Sequence, residues 1–249
     1  MSEAATLPTR RDEDWRYADA DWLAAADPVA LDEWREVSVA AGEALREASV
    51  LDESGVARLR IHVGKRGRYE HFALNTAGRY ARLELAVTLE EGAHFEFGGV
   101  TIGGADKLQE FVTKVNHAQG STSNQVVRAV QWGNATGTFL GRIEIPQDSQ
   151  QVDAAQNFKA ILLEKGASAN AKPELEIHAD DVKAAHGAAI GALDDKAGFY
   201  MAARGIPPEA ARKLLVRAFI ADAFEALKDE AQHDALLDQA LAALDEEAI

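Results

Sequence analysis

Lys172-Pro173-Glu174-Leu175-Glu176-Ile177-His178-Ala179-Asp180-Asp181-Val182-Lys183-Ala184-Ala185-His186-Gly187-Ala188 is the stretch on which the fold reading turns. Leu175 and Ile177 alternate with Glu174 and Glu176, the period-two pattern of a strand with one buried face. An irregular charged turn follows, with Asp180, Asp181, Lys183 and His186 inside seven positions. Beyond Gly191-Ala192-Leu193-Asp194, Phe199-Tyr200 and Arg204-Gly205-Ile206, the pair Pro207-Pro208 opens a helix. A β region therefore ends, and a helical one begins, at the most chemically loaded turn of the chain.

Upstream, between about Val56 and Ala179, apolar residues keep the period of two. Leu59/Ile61/Val63, Leu83/Leu85/Val87, Phe95/Phe97, Phe139/Ile143/Ile145 and Ile161/Leu163 alternate with Arg, Glu and Lys. The runs are short and broken by Gly98-Gly99, Gly103-Gly104, Gly133-Asn134, Gly137, Gly141 and Gly166. Many short strands with few helical stretches mean a sandwich, a barrel or a solenoid. Arg58-Leu-Arg-Ile and Arg82-Leu-Glu-Leu lie 24 apart, and Ile143, Ile161 and Ile177 are separated by 18 and 16. Loose periods near 20 fit the coils of a solenoid, and a meander of hairpins gives similar numbers.

Helical signals sit at both ends. Thr9-x-x-Asp12 and Asp27-Pro28 read as helix starts, because a short oxygen side chain accepts from orphan N–H groups and Pro suits the first helical position. From Pro28 to about Ser49 the spacing of Val29, Leu31, Trp34, Val37, Ala41 and Leu45 is roughly helical, although Val37-Ser38-Val39 also suits a strand. Pro207-Pro208-Glu209 begins a helix to about Lys228, whose Leu214/Leu215, Ala218/Phe219, Phe224 and Leu227 make a broad apolar face. A second amphipathic segment carries Leu236, Leu237, Ala240, Leu241 and Leu244. From Asp222 onward nine acidic residues face Lys228 alone, the composition of a solvated acidic surface. The expected organisation is a short helical segment over 1–50, a β core over 51–190 and a helical end over 191–249.

Bulk properties exclude several classes. A chain of 249 residues, 47% hydrophobic and 27% charged, is an ordinary folded soluble composition. A formal charge of −15 would repel nucleic acid and anionic membrane surfaces. No apolar run reaches the roughly 18–20 residues needed to span a bilayer, and no signal peptide is visible, so a cytoplasmic location is expected. With no cysteine, the chain offers neither a disulfide nor a thiolate. No Walker-type loop, HExxH or nucleophile elbow is present, so no nucleotide site or hydrolase centre is expected.

The signature stretch and its surroundings resemble the SufB/SufD family of iron–sulfur cluster assembly scaffolds, most closely the SufD branch. The resemblance rests on PELEI-x-A-DDVK-x-x-HGA, then G-x-LD, FY and RGI in order, followed by Leu214-Leu215 and Ala218-Phe219. It extends to Gly137-x-Phe139-x-Gly141-x-Ile143, to Gln151-x-Asp153-Ala154-x-Gln156-Asn157, and to the opening phrase Leu7-Pro8 through Trp15-x-Tyr17. It implies a right-handed parallel β-helix core with a short helical N-terminal segment and a helical C-terminal end. It also implies a non-enzymatic subunit that pairs with a SufB-like partner through its last β coils and recruits a SufC-like ABC-type ATPase. No cofactor would be bound permanently; a transient iron–sulfur cluster would be shared with the partner.

On residue type alone His186 is a histidine that hydrogen-bonds at the rim of an interface. The resemblance instead makes it a metal ligand, holding a nascent cluster beside a partner thiolate. Many members carry Cys two residues earlier, where this chain has Ala184, so a thiol mechanism in this subunit is excluded. Asp180, Asp181 and Lys183 suit hard ligands, an acid–base pair, or a charged turn clamping two chains, the last being preferred. Arg204 and Gly205 turn the chain into the terminal helix. With Leu214, Leu215 and Phe219 they are the candidates for contact with the ATPase partner. His71, His94 and His117 recur at 23-residue intervals, which suggests a ladder facing a metal but is read as coincidence. Trp15, Trp22, Trp34 and Trp132 are read as packing anchors. A rival class is a carbohydrate-active β-solenoid lyase, with Lys183 as base and the two Asp holding a divalent ion. A third reading is a homodimeric binding scaffold. The lyase would need a long sugar groove lined with aromatics.

Overall fold

A computed structural model describes residues 7–244. Odd-numbered strands β1 (Arg35–Val39), β3 (Gly55–Val63), β5 (Tyr80–Leu89), β7 (Leu108–His117), β9 (Thr136–Ile145) and β11 (Ser168–Ile177) form one parallel sheet in that order. Even-numbered strands β2 (Ala44–Leu51), β4 (Arg68–Asn75), β6 (His94–Gly103), β8 (Thr122–Gln131), β10 (Asp153–Leu162) and β12 (Lys183–Gly191) form the other. The chain alternates between them, so each coil is one strand from each sheet. This is a parallel β-solenoid.

Coil length is set by the register. Arg35 faces Leu59, Tyr80 faces Leu108 and Thr136 faces Ser168, so a coil lengthens from 24 to 28 to 32 residues. The shorter spacings of Ile143, Ile161 and Ile177 are half-coils, since these residues lie on β9, β10 and β11 in turn. The turns stack as the strands do. Gly42 donates to Lys65 O, Arg66 to Glu91 O, Gly92 to Gln119 O, Gly120 to Gln150 O and Gln151 to Asp181 O. The donor in each rung has positive φ, a geometry that glycine takes without strain and that Arg66 and Gln151 accept here.

Between the sheets the period-two residues meet. Phe95 and Phe97 stack at 6.4 Å, and Phe97 meets Phe111 edge-on at 5.5 Å. The middle strands are also covered outside, so β6 is buried along nearly its whole length. That is why Gly98-Gly99-Val100-Thr101-Ile102 loses alternation. Over the even sheet lie α4 (Pro208–Ala221), a 3-10 turn (Asp222–Phe224) and α5 (Glu230–Ala242). Val216, Ile220, Phe224 and Leu237 pack there on Phe72, Val100 and Val130. A Cβ on Gly98 would overlap the Ala223 carbonyl oxygen, so glycine lets the 3-10 turn sit against the sheet. Arg128 donates from Nε to Asp222 at 3.0 Å across the same junction.

Over the odd sheet lies the N-terminal segment, with a 3-10 turn (Glu13–Trp15), α1 (Ala20–Ala25) and α2 (Pro28–Leu31). Trp15 stacks at 4.1 Å on the buried Arg82 guanidinium, which donates to Asp14 O and faces Glu84 and Glu110. Trp22 packs on Tyr80 at 5.0 Å, and Arg58 lies 4.0 Å from the Trp34 ring centre. Trp132 is buried against the even-sheet cluster, so all four tryptophans are packing anchors.

Three local expectations need correction. Helix does not run from Pro28 to Ser49: it stops at Leu31, and Val37 and Val39 pair with Ile61 and Val63 in β1. The helical spacing of Val29 through Leu45 was fortuitous, and the Val37-Ser38-Val39 alternation carried the signal. Thr9 and Asp12 bond each other (Thr9 N donates to Asp12 Oδ2 at 2.7 Å, Asp12 N to Thr9 O at 2.9 Å), but they close a turn ahead of the 3-10 turn. The charged turn is also shorter than expected, because Lys183 and His186 belong to a further strand, β12. By contrast Asp27 caps α2 as expected, accepting from Val29 N with Pro28 at the first position. Of the acidic C-terminal residues, Asp245, Glu246 and Glu247 lie outside the described residues.

Candidate functional site at the open end of the solenoid

The last coil, β11 and β12, pairs only inward, β11 with β9 and β12 with β10. Its outer edges are therefore free. Among the described strands four lie at sheet edges, β1 and β2 at one end and these two at the other. They are not equivalent. β1 and β2 carry Arg35, Glu36, Arg46 and Glu47, while β11 carries Lys172, Glu174 and Glu176 together with Pro173. Charges and proline blunt a strand edge. After Lys183, β12 reads Ala-Ala-His-Gly-Ala-Ala-Ile-Gly, with neither proline nor carboxylate. Among the four described edges it is the one that carries neither proline nor carboxylate.

Register fixes which way its side chains face. Ala154 and Ala184 are in-register partners and share an inner cluster with Ile143 and Ile145. Two residues on, His186 pairs with Gln156, so it too lies on the inner face. The inner row on the even sheet runs Glu47, His71, Phe97, Gln125, Gln156, His186. His186 is exposed because no coil lies beyond it. Among the described residues neither of its ring nitrogens has a hydrogen-bond partner, so both are available. Nearby Ile190 and Ile177 are 48% and 40% exposed, an apolar margin beside a polar group.

The other charged candidates are not gathered around His186. Asp180 and Asp181 sit exposed in the turn that ends the turn column, where Asp181 N donates to Gln150 Oε1 at 2.9 Å. Lys183 is exposed at the start of β12, three residues from His186 and thus on the opposite face. Among the described residues no three His, Asp or Glu side chains converge as a metal site. Any metal at His186 takes its further ligands from outside this set.

The spaced histidines do not form a ladder. His71 and His94 lie on β4 and β6 out of register, and His117 is on the other sheet. His71 is held by Ser49 and Tyr69, His94 by Thr122 and Glu96, and His117 by Ser121 and Ser123.

A second surface lies on the C-terminal helices. Asp194 caps α3 (Asp195–Ala202), a helix the sequence reading left unassigned, accepting from Lys196 N and Ala197 N. Arg204 stacks on Tyr200 at 3.4 Å, and Gly205, at φ 81°, turns the chain towards α4. Phe199, Tyr200 and Leu214 are 78%, 58% and 49% exposed. Leu215 lines a cavity of about 340 Å³ between α3, α4 and the end of β10, whereas Phe219 is half-buried beside Arg128. Sequence reasoning missed Lys172, whose Nζ lies 2.6 Å from Glu13 and ties the N-terminal segment to the penultimate strand. It also missed the inner partner of His186, Gln156, whose signal was its place within the Gln151–Asn157 motif.

Comparison with known proteins gives the same family throughout. Residues 47–219 match the family described as SUF system FeS cluster assembly, SufBD core domain. The chain is 34% identical over 171 residues to an iron-sulfur cluster assembly SufBD family protein of Synechocystis sp., covering 68% of this chain and 38% of that protein. It is 36% identical over 119 residues to iron-sulfur cluster assembly protein SufD of Escherichia coli, 47% of this chain and 28% of that one. It is 28% identical over 132 residues to SufD of Bacillus subtilis, 53% and 30% of the two chains. These matches span well under half of each relative's length.

Proposed function

This chain belongs to the SufBD family of the SUF iron–sulfur cluster assembly system, and from that premise we propose that it is a SufD-like, non-catalytic scaffold subunit acting in the cytoplasm. Its β12 edge pairs with a SufB-like subunit, and His186 lends an imidazole to a nascent cluster sheltered between the two. The observation that carries this reading is the position of His186: inner face, last strand, a free edge without carboxylate or proline, and both ring nitrogens without a partner among the described residues. A neutral imidazole is a good iron ligand. With Ala184 before it and no cysteine in the chain, thiolate ligands come from the partner. The cluster is cargo, formed at the junction and passed on.

The exposed Phe199, Tyr200 and Leu214, with Leu215 at the neighbouring cavity, form an apolar surface on the helices that follow β12. It suits a SufC-like ATPase whose nucleotide cycle would strain or open the β junction. Among the described residues no helix is long and apolar enough to cross a membrane. The lyase reading gains no support: Asp180 and Asp181 sit exposed in a turn, Lys183 is exposed at the start of β12, and among the described residues no three His, Asp or Glu side chains converge as a metal site. Without its partner, the same free edge accepts a second copy of this chain.

Co-expression with SufB-like and SufC-like subunits tests the reading. His186→Ala should leave the three-protein complex intact and cut cluster formation by at least tenfold. Wild-type assembly by that complex would remove the ligand role, and failure of the unaltered chain to form the complex would remove the scaffold role.

A further inference from the structure

Behind His186 the inner row carries an anomaly. Gln156 is 2% exposed, yet neither its amide oxygen nor its amide nitrogen has a hydrogen-bond partner. One strand further in, Gln125 is fully buried; its oxygen accepts from Thr113 Oγ1 at 2.6 Å, but its nitrogen is unpartnered. Opposite Gln156 the odd sheet offers no polar side chain to satisfy it. The inner positions there are Gly141 and its register partner Pro173. A Cβ on Gly141 would come within 2.8 Å of the Gln156 oxygen, so glycine clears the space the amide occupies.

A buried amide left unpaired costs on the order of 1–3 kcal/mol. An apolar side chain of the same shape would avoid that cost. The amide is explained if it serves a group beyond the chain's own hydrogen-bond set. Gln125, Gln156 and His186 are successive in-register residues of the inner row, and among the described residues His186 is also unpartnered. Gln156 and His186 share no direct bond, and neighbouring strands about 4.8 Å apart leave room for one water to bridge the two groups.

We propose that Gln156 is the positioning residue of His186. Its amide holds one ordered water against the inward ring nitrogen, so that the imidazole is fixed and its other nitrogen faces the open end. Outer-shell hydrogen bonds of this kind fix the orientation of a metal-binding histidine. This inference rests on the role given to His186 above. Gln125, anchored by Thr113, lies behind Gln156 as its in-register neighbour on β8.

Gln156→Met tests it, because the side-chain volume is kept while the amide is removed. The melting temperature should be unchanged or higher, since an unsatisfied amide is lost. NMR relaxation of the labelled His186 ring in the isolated chain should show it passing from ordered to mobile, with the exposed His178 and His62 as unchanged controls. In the three-protein complex, cluster formation should fall by roughly tenfold or more. A lowered melting temperature with an unaltered His186 ring would overturn the proposal and make the amide structural. A crystal structure of the unaltered chain gives an independent decision. A water within hydrogen-bond reach of both groups supports the proposal, and a Gln156 amide turned away from His186 overturns it. Loss of ring order in Gln156→Met alongside full activity in His186→Ala would leave the positioning intact and remove the ligand role.

Discussion

Two histidines on one inner row, His71 near the first coil and His186 on the last, meet opposite fates. His71 sits in a closed circuit. Arg35 pairs with Glu47 at 2.7 Å, the Tyr69 hydroxyl donates to Glu47 at 2.6 Å, and that same oxygen lies 2.9 Å from His71 Nδ1. Since Tyr69 spends its proton on Glu47, it accepts from Nδ1, and Ser49 Oγ donates to Nε2 at 2.9 Å. The Arg35 hydrogen bonds hold Glu47 down at about 2, and burial pushes His71 down to about 4. Every lone pair and proton of that ring is committed. At the other end the ring is exposed, uncommitted and backed by an unpaired amide. The sealed end contributes stability and the open end availability, and the availability of a ring nitrogen is what metal binding requires.

The contrast is broken most sharply by truncating packing in the sealed interior and on the last strand. Phe97→Ala, in the sealed core, should cost roughly 3–5 kcal/mol in urea unfolding. Ile190→Ala, on the last strand, should cost under about 0.5 kcal/mol. Equal costs would mean the last coil is as well packed as the middle ones. Acid comes next. His71 and His117 are both held near 4 by burial, below the ordinary 6.5, and stay neutral in the folded chain. The unfolded chain takes up protons as the pH falls below about 6.5, so their contribution is complete above that value and is lost between about 6.5 and 4. At most roughly 3 kcal/mol is at stake for each. Glu47 adds a loss only below the ordinary carboxylate range. Urea midpoints measured across this range should fall with pH, and His71→Gln should flatten the slope. Asp222→Asn, loosening α4 from Arg128, should cost about 1 kcal/mol, because the carboxylate is partly exposed. Lys183→Gln should be the mildest: exposed and without an ion-pair partner among the described residues, it should move stability by less than about 0.5 kcal/mol.

Strands with one wet face were legible in the sequence. Leu59/Ile61/Val63 alternate with the outer-facing Arg58, Arg60 and His62, while Leu83/Leu85/Val87 alternate with Arg82 and Glu84, which the N-terminal segment covers; both sets occupy the inner face as expected. Coil length was less legible, since half-coils and whole coils mix in a list of apolar spacings. β12 was not legible at all. Lys183-Ala-Ala-His-Gly-Ala-Ala-Ile-Gly has no alternation and low strand propensity, and is a strand because β10 offers it a complete ladder. For the site, His186 stood out through its motif. Its inward orientation and its neighbour Gln156 came only from register, which no local pattern encodes.

Amide hydrogen exchange, with and without the SufB-like partner, addresses the central claim most directly. The last-strand account predicts that Lys183–Gly191 exchanges freely in the isolated chain and becomes strongly protected in the complex, while α5 is unchanged. Unaltered exchange across β12, with protection on β1, β2 or a helical face instead, would contradict it.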